Sequence, residues 1–166
     1  MRNVPIRWVN TGVFVVCAGL IGFAMYLQHA SGLEPCPLCI LQRYAFILVG
    51  FVALVAAIHD PRRGGHRVYG GLLVVLAGLG AGVATRHSWL EHNPPQVFDC
   101  GADLGFMVDA FPLSEALPMI FRGSGDCTEA LWHFLGLSIA EWALLWFVIF
   151  IIAGLYAMMR KPVAGQ

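Results

Sequence analysis

The sequence predicts an all-α membrane protein, a bundle of four transmembrane helices. Two observations carry this prediction: 58% of the residues are hydrophobic, and the mean hydropathy is +0.72. Charged residues make up 12% of the chain, about half of the usual share in a soluble domain. A chain with so few charges cannot cover a water-facing surface, so lipid is expected to be its main solvent.

Four long stretches are apolar and essentially uncharged, and each approaches or exceeds the roughly 20 residues that span a bilayer as a helix. They run over about residues 8–27, 38–58, 68–90 and 140–159. Helices are expected because lipid offers the backbone no hydrogen bonds, and the alternating segments of a β-barrel are not seen in the sequence. The first stretch is longer than the apolar core of a signal peptide, so we expect it to be a membrane span.

The basic residues predict the orientation. Seven of the ten lysines and arginines fall on one side of the four spans: Arg2, Arg7, Arg62, Arg63, Arg67, Arg160 and Lys161. The positive-inside rule therefore predicts that both termini and the short connection after residue 58 are cytoplasmic. The whole chain, residues 1–166, is expected to form one membrane domain with two outer loops. The short loop covers about residues 28–37 and the long loop about residues 91–139.

Two local patterns predict further structure. Within the long outer loop, the stretch LSEALPMIF at residues 113–121 places apolar residues near helical spacing. This spacing favours a short helix lying flat on the membrane, although a packed turn fits equally well. In the third span, Gly78 and Gly82 form a GxxxG pattern, which predicts close packing against another helix.

The stretch EPCPLCILQR places two cysteines, Cys36 and Cys39, at redox-active spacing. Pro37 suits the first position of a helix, so the second span is expected to begin here. The positive end of the helix dipole would stabilise a thiolate and make it reactive. Arg43 lies one turn beyond Cys39 on the same face and adds positive charge. A charge inside a membrane span suggests a function, and the alternative is an interfacial anchor.

Other uses of the cysteines fit less well. A structural Cys₄ zinc site usually shows two close pairs, whereas Cys100 and Cys127 have 26 residues between them. Covalent haem attachment requires CxxCH, and Ile40 follows the second cysteine of the CxxC. Two purely structural disulfides stay an open alternative, although bridging so short a loop adds little stability. Cys17, in the middle of the first span, is expected to be a packing residue.

Two outer cysteine pairs together suggest a path for electrons. A pair on a long loop can meet a soluble protein, and a pair at the membrane surface can meet a lipid-soluble acceptor. Thiol–disulfide exchange between the pairs would carry two electrons from one to the other. The alternative from another class is a non-enzymatic membrane assembly or adaptor protein, whose loop is braced by two structural disulfides.

Over nearly its whole length the chain resembles the DsbB family of the bacterial inner membrane. The resemblance rests on the four spans, PCPLCILQRY at the start of the second, FDC ending at Cys100, GSGDC ending at Cys127, and HFLGL where the family has a DFLGL-like stretch. It implies a quinone-reducing thiol oxidase, a protein-disulfide oxidoreductase, with its active cysteines on the periplasmic side. The implied partner is a soluble periplasmic DsbA-like oxidase with a thioredoxin fold; no nucleic acid is expected to bind.

The resemblance also implies roles for individual residues. Cys100 would form the mixed disulfide with the partner, and Cys127 would be its pair. Cys36 would exchange with Cys127, and Cys39 would face the quinone as a thiolate. Arg43 matches a family arginine that supports the quinone and that thiolate.

Two residues near the outer end of the third span complete the implied quinone site. His87 lies thirteen residues before Cys100, where the family has a functional histidine, and could hydrogen-bond a quinone oxygen or supply a proton. Glu91 follows one turn later, at a position where some members carry an amide, so its role is left open. Ubiquinone is the expected acceptor, with menaquinone as the alternative.

Overall fold

The computed structural model describes residues 5–31, 36–60, 65–93 and 133–160. Within these residues lie four long helices: α1 (Ile6–Ser31), α2 (Pro37–His59), α3 (Gly65–His92) and α4 (Ile139–Met159). Each is long and apolar enough to cross a membrane, and the predicted all-α, four-helix class is confirmed. The helix expected at residues 113–121 lies outside the described residues.

The helices are longer than the apolar stretches that predicted them. The largest difference is in α1, which continues to Ser31 although the apolar run ends near residue 27. A helix satisfies its backbone hydrogen bonds internally whether its side chains are apolar or polar. The helical backbone can therefore continue past the end of the apolar run, through Gln28 and His29.

A two-stranded hairpin precedes α4. Strands β1 (His133–Phe134) and β2 (Leu137–Ser138) pair antiparallel, with His133 opposite Ser138. The turn residues Leu135 and Gly136 have φ values of 54° and 82°, and a type I′ turn requires positive φ at both central positions. Glycine adopts this conformation without steric cost, whereas leucine does so rarely.

The hairpin leads directly into a capped helix start. Ser138 Oγ accepts a hydrogen bond from the Glu141 backbone N–H at 3.2 Å, and Glu141 Oε2 accepts one from the Ser138 backbone N–H at 2.9 Å. This reciprocal pair is a capping box, which satisfies backbone donors that the first helical turn leaves unpaired. Residues 138–141 therefore fix where α4 begins.

Aromatic packing marks the centre of the bundle. Phe46 of α2 stacks on Phe147 of α4 with ring centroids 4.2 Å apart, and meets Phe150 edge to face at 6.2 Å. Both α4 rings are almost completely buried, as is Leu73 of α3. In lipid, helix association depends on close packing rather than on the hydrophobic effect, so such complementary contacts are what hold the spans together.

The backbones of α3 and α4 approach each other closely at a pair of glycines. A Cβ added to Gly70 would lie 2.7 Å from the backbone oxygen of Gly154, and one added to Gly154 would lie 2.9 Å from that of Gly70. By contrast, a Cβ on Gly78 or Gly82 would meet nothing within 4 Å among the described residues. The predicted packing role of the GxxxG pattern is therefore wrong, because the close contact uses a different glycine of the same helix.

Replacing Gly70 with alanine is expected to destabilise the bundle by about 1–3 kcal/mol, because the new methyl group would overlap a backbone oxygen that cannot rotate away. The measurement is the melting temperature of the purified protein in detergent. Gly71→Ala is the matched control, since its Cβ has open space and alanine favours the helix. Equal melting temperatures for the two variants would contradict the assigned contact.

Candidate active site

The first cysteine of the CxxC caps helix α2. Cys36 has an extended backbone conformation, with φ −65° and ψ 161°, and Pro37 occupies the first turn of the helix. Cys36 Sγ accepts a hydrogen bond from the Cys39 backbone N–H at 3.3 Å. The sulfur therefore takes the place of the usual N-cap oxygen, at the positive end of the helix dipole.

The two sulfurs of the CxxC are in direct contact but differ in accessibility. The Cys36 thiol donates a hydrogen bond to Cys39 Sγ at 3.0 Å. Cys36 is 6% exposed, whereas Cys39 is half-buried. A hydrogen bond to a charged acceptor is stronger than one to a neutral acceptor, so this contact would stabilise a thiolate at Cys39.

A histidine and a carboxylate from α3 lie against this dithiol. His87 is 4% exposed, and its Nε2 lies 3.7 Å from Cys36 Sγ and 3.7 Å from Glu91 Oε1. The Glu91 side chain is 9% exposed, and its Oε2 is buried with no hydrogen-bond partner among the described residues. The outer end of α3 thus supplies a base and an unsatisfied carboxylate oxygen beside the cysteines.

A glutamine that was not among the predicted site residues forms a hydrogen bond with the histidine. Gln42 of α2 is 4% exposed, and its side-chain nitrogen lies 3.2 Å from His87 Nδ1. In this orientation the amide donates to Nδ1, so Nε2 of the neutral ring carries the proton. Rotating the amide by 180° would present its oxygen and favour the other tautomer. The sequence does carry a sign of this role for Gln42, because a polar amide within an apolar membrane span lowers stability unless it has a hydrogen-bond partner.

Arg43 turns toward α1. Within the described part of the chain, its guanidinium donates to Gln28 Oε1 at 2.6 Å, to the Ala24 backbone oxygen at 3.4 Å and to Met25 Sδ at 3.8 Å. These bonds join the start of α2 to the end of α1. A direct action of Arg43 on the thiols stays a prediction.

The loop cysteines Cys100 and Cys127 lie outside the described residues, so their roles also stay predictions.

The structure brings together four of the predicted site residues, namely Cys36, Cys39, His87 and Glu91. Leu38 and Leu90 pack with Cys36 in an apolar cluster. Such surroundings strengthen hydrogen bonds and charge interactions within the site, because little water is present to screen them.

Alkylation of the fully reduced protein is expected to modify Cys39 at least about tenfold faster than Cys36, since Cys39 is more accessible and favoured as the thiolate. Peptide mass spectrometry after timed iodoacetamide treatment would measure both rates in one sample. Cys17, which is 1% exposed, serves as a slow internal reference. If Cys36 reacted as fast as Cys39, the assignment of the outer sulfur would be wrong.

Comparison with known proteins identifies the family. A family model described as Disulfide bond formation protein DsbB matches residues 6–157. The chain is 52% identical over 155 residues to Disulfide bond formation protein B of Aromatoleum aromaticum, covering 93% of each chain. It is 52% identical over 151 residues to the protein of that name from Azoarcus sp., covering 91% of each. It is 48% identical over 156 residues to that from Marinobacter nauticus, covering 93% of each. The chain therefore belongs to the DsbB family, a family of protein-disulfide oxidoreductases.

Proposed function

We propose that this protein reoxidises a soluble periplasmic DsbA-like oxidase and passes the two electrons through Cys100/Cys127 and Cys36/Cys39 to a membrane quinone. One observation carries the proposal: a buried imidazole lies 3.7 Å from a CxxC sulfur at the end of a helix that can span a membrane. This arrangement combines a thiol pair, a base and contact with lipid, which are what electron transfer from thiols to a lipid-soluble acceptor needs.

Two disulfide exchanges would move the electrons. Cys100 forms a mixed disulfide with the reduced partner, whose second thiol then releases it, leaving the partner oxidised and Cys100 and Cys127 reduced. The Cys127 thiolate next attacks Cys36 in the Cys36–Cys39 disulfide and releases Cys39 as a thiolate. Cys100 completes the exchange by attacking Cys127, which restores the loop disulfide and leaves Cys36 and Cys39 reduced. Each exchange conserves one disulfide and transfers two electrons.

The α2 N-terminus would favour this direction of transfer. The Cys39 thiolate is the leaving group when Cys36 is attacked, and a stabilised thiolate leaves faster. The hydrogen bond from the Cys36 thiol and the helix dipole both act on that sulfur. Stabilising the reduced form also raises the reduction potential of the pair, so that it can accept electrons from an oxidising partner.

The donor set fits a quinone. A bound quinone would supply an acceptor for two electrons and two protons. The guanidinium of Arg43 and the imidazole of His87 carry N–H donors suited to carbonyl oxygens. The flanking spans expose apolar side chains along their lengths, which suits a hydrophobic ligand. Cys39 is the more exposed of the two cysteines and is therefore the one assigned to face the ring.

His87 and Glu91 are assigned to the protons. When the thiol pair is oxidised, the Cys36 proton must leave, and the described group best suited to take it is the imidazole of His87, whose Nε2 lies 3.7 Å from Cys36 Sγ. With the Gln42 amide rotated so that its oxygen accepts the Nδ1–H, the Nε2 lone pair faces Cys36 Sγ and can take the thiol proton. The imidazolium can then pass that proton from Nε2 to Glu91 Oε1, 3.7 Å away. The unpartnered Glu91 Oε2 offers a place to hold a proton.

The orientation of the chain belongs to the same proposal. The excess of basic residues on one side supports cytoplasmic termini, which would place the Cys36 end of α2 on the periplasmic face of the bacterial inner membrane. Ubiquinone is the proposed acceptor, and menaquinone is the alternative.

Quinone reduction by the purified protein is the central test. With a reduced DsbA-like partner and a short-chain ubiquinone, we expect the quinone absorbance to decay, and Cys39→Ser to abolish the decay because the electron donor is lost. Cys17→Ala is the matched control and is expected to retain activity, since that thiol lies within the core. Persistent decay in Cys39→Ser would refute the role of Cys39.

Two outcomes with the unsubstituted protein would contradict the proposal. If the quinone absorbance did not decay and the disulfides resisted mild dithiols, the adaptor protein braced by structural disulfides would be favoured. If the quinone absorbance did not decay although the cysteines exchanged with dithiols, the assay would be repeated with menaquinone and another partner.

Arg43→Ala is expected to raise the KM for quinone about tenfold or more, because the proposed charge-assisted hydrogen bond from the guanidinium to the quinone would be lost. Arg67→Ala, at the opposite end of the bundle and exposed, is the control for removing a positive charge. Melting temperatures accompany the kinetics, since Arg43 also joins α1 to α2. An unchanged KM would remove Arg43 from the quinone site.

A further inference from the structure

We propose that the reduced cysteines Cys36 and Cys39, together with His87 and Glu91, form a binding site for a thiophilic divalent cation such as Zn²⁺. The ligand atoms of Cys36, Cys39 and His87 all lie within 4.8 Å of one another. This site goes beyond the proposed electron transfer and requires neither the partner nor a quinone.

The distances suit a tetrahedral centre after a small adjustment. Zinc–sulfur bonds of about 2.3 Å and zinc–nitrogen bonds of about 2.0–2.1 Å place sulfur and nitrogen ligands about 3.6 Å apart, and two sulfurs about 3.8 Å apart. Cys36 Sγ and His87 Nε2 are already 3.7 Å apart. The sulfurs, at 3.0 Å, must separate by about 0.8 Å. That movement replaces one S–H···S hydrogen bond with two metal–sulfur bonds.

Glu91 supplies a second, independent observation that points to a cation site at this cluster. Its side chain is 9% exposed, yet Oε2 makes no hydrogen bond within the described structure. Leaving a buried carboxylate oxygen unsatisfied is unfavourable. Oε1 of the same carboxylate lies 3.7 Å from His87 Nε2, so a metal bound to that nitrogen would have a carboxylate oxygen close at hand as its fourth ligand.

Gln42 would act as the outer support of the metal ligand. A metal-binding histidine usually donates its second ring N–H to an oxygen acceptor, which fixes the ring and the tautomer. The Gln42 amide is already at His87 Nδ1, 3.2 Å away. With its oxygen turned toward Nδ1, the amide would accept that N–H and leave the Nε2 lone pair for the metal.

Metal binding and oxidation of the thiols exclude each other. The cation binds two thiolates and displaces two thiol protons, with no change of oxidation state. A disulfide offers no thiolate, so only the reduced pair can form this site. Cys39 is half-buried, so a cation can reach its sulfur from outside the helix bundle. Bound metal would therefore hold the pair reduced and stop turnover until it is removed.

The test uses Co²⁺ as a spectroscopic probe in the full-length Cys100→Ser/Cys127→Ser protein, so that the loop thiols cannot bind it. In detergent, with a phosphine reductant and no oxygen, one Co²⁺ per chain is expected to give a thiolate-to-cobalt band in the near ultraviolet and tetrahedral bands in the red. Zn²⁺ should displace it. The same protein with Cys36 and Cys39 oxidised should show neither band.

Substitutions then separate the four-ligand site from binding by the dithiol alone. His87→Ala and Glu91→Gln are each expected to raise the Kd at least about tenfold, whereas Cys17→Ala should leave it unchanged. Circular dichroism confirms the helix content of each variant, and the reduced-against-oxidised comparison needs no substitution at the site. Absence of the thiolate band in the reduced protein would overturn the proposal, as would an unchanged Kd in both folded variants.

Failure of this proposal is distinguishable from failure of the proposed function, since the cuvette holds neither partner nor quinone. A protein that binds Co²⁺ through these ligands but reduces no quinone would refute only the electron transfer. A protein that reduces quinone but shows no thiolate–cobalt band would refute only the metal site.

Discussion

The hydrogen bond from the Cys39 backbone N–H to Cys36 Sγ is the interaction on which the site depends. It makes the first sulfur of the CxxC the cap of a membrane helix, so the start of α2 and the position of the dithiol are set by the same contact. Because α2 also packs on α3, the position of this cap determines which α3 side chains the sulfurs can meet. A shift of α2 by one residue would separate Cys36 from His87.

Buried polar groups impose the second constraint. Inside a bundle surrounded by lipid, each such group needs a partner from another helix or from its own. Gln42, His87 and Cys36 satisfy one another across α2 and α3, whereas Glu91 keeps one oxygen without a partner in the described structure. A network that is complete except at one atom lies where chemistry is expected, because an unsatisfied group is retained at a cost in stability.

The sequence was sufficient for the spans and for the start of α2, because hydropathy and the CxxC with its proline act locally. It was not sufficient for contacts that depend on how helices rotate about their axes. Gln42 and His87 are 45 positions apart, and nothing local to either residue indicates that they meet. Arg43 shares a face with the cysteines by spacing, yet its hydrogen bonds go to α1. The α3–α4 contact uses Gly70 rather than the recognisable GxxxG, since the motif does not specify which face meets a neighbour.

The separation of the thiols from their base along the chain has a consequence for biogenesis. Cys36 and His87 are 51 positions apart and lie on successive helices. Ribosomal synthesis produces the dithiol before the imidazole, so a chain whose first two helices have entered the membrane holds both thiols without their base. The complete arrangement arises only when α3 docks on α2. Insertion of the third helix is thus the step that turns two membrane-surface thiols into an assembled centre.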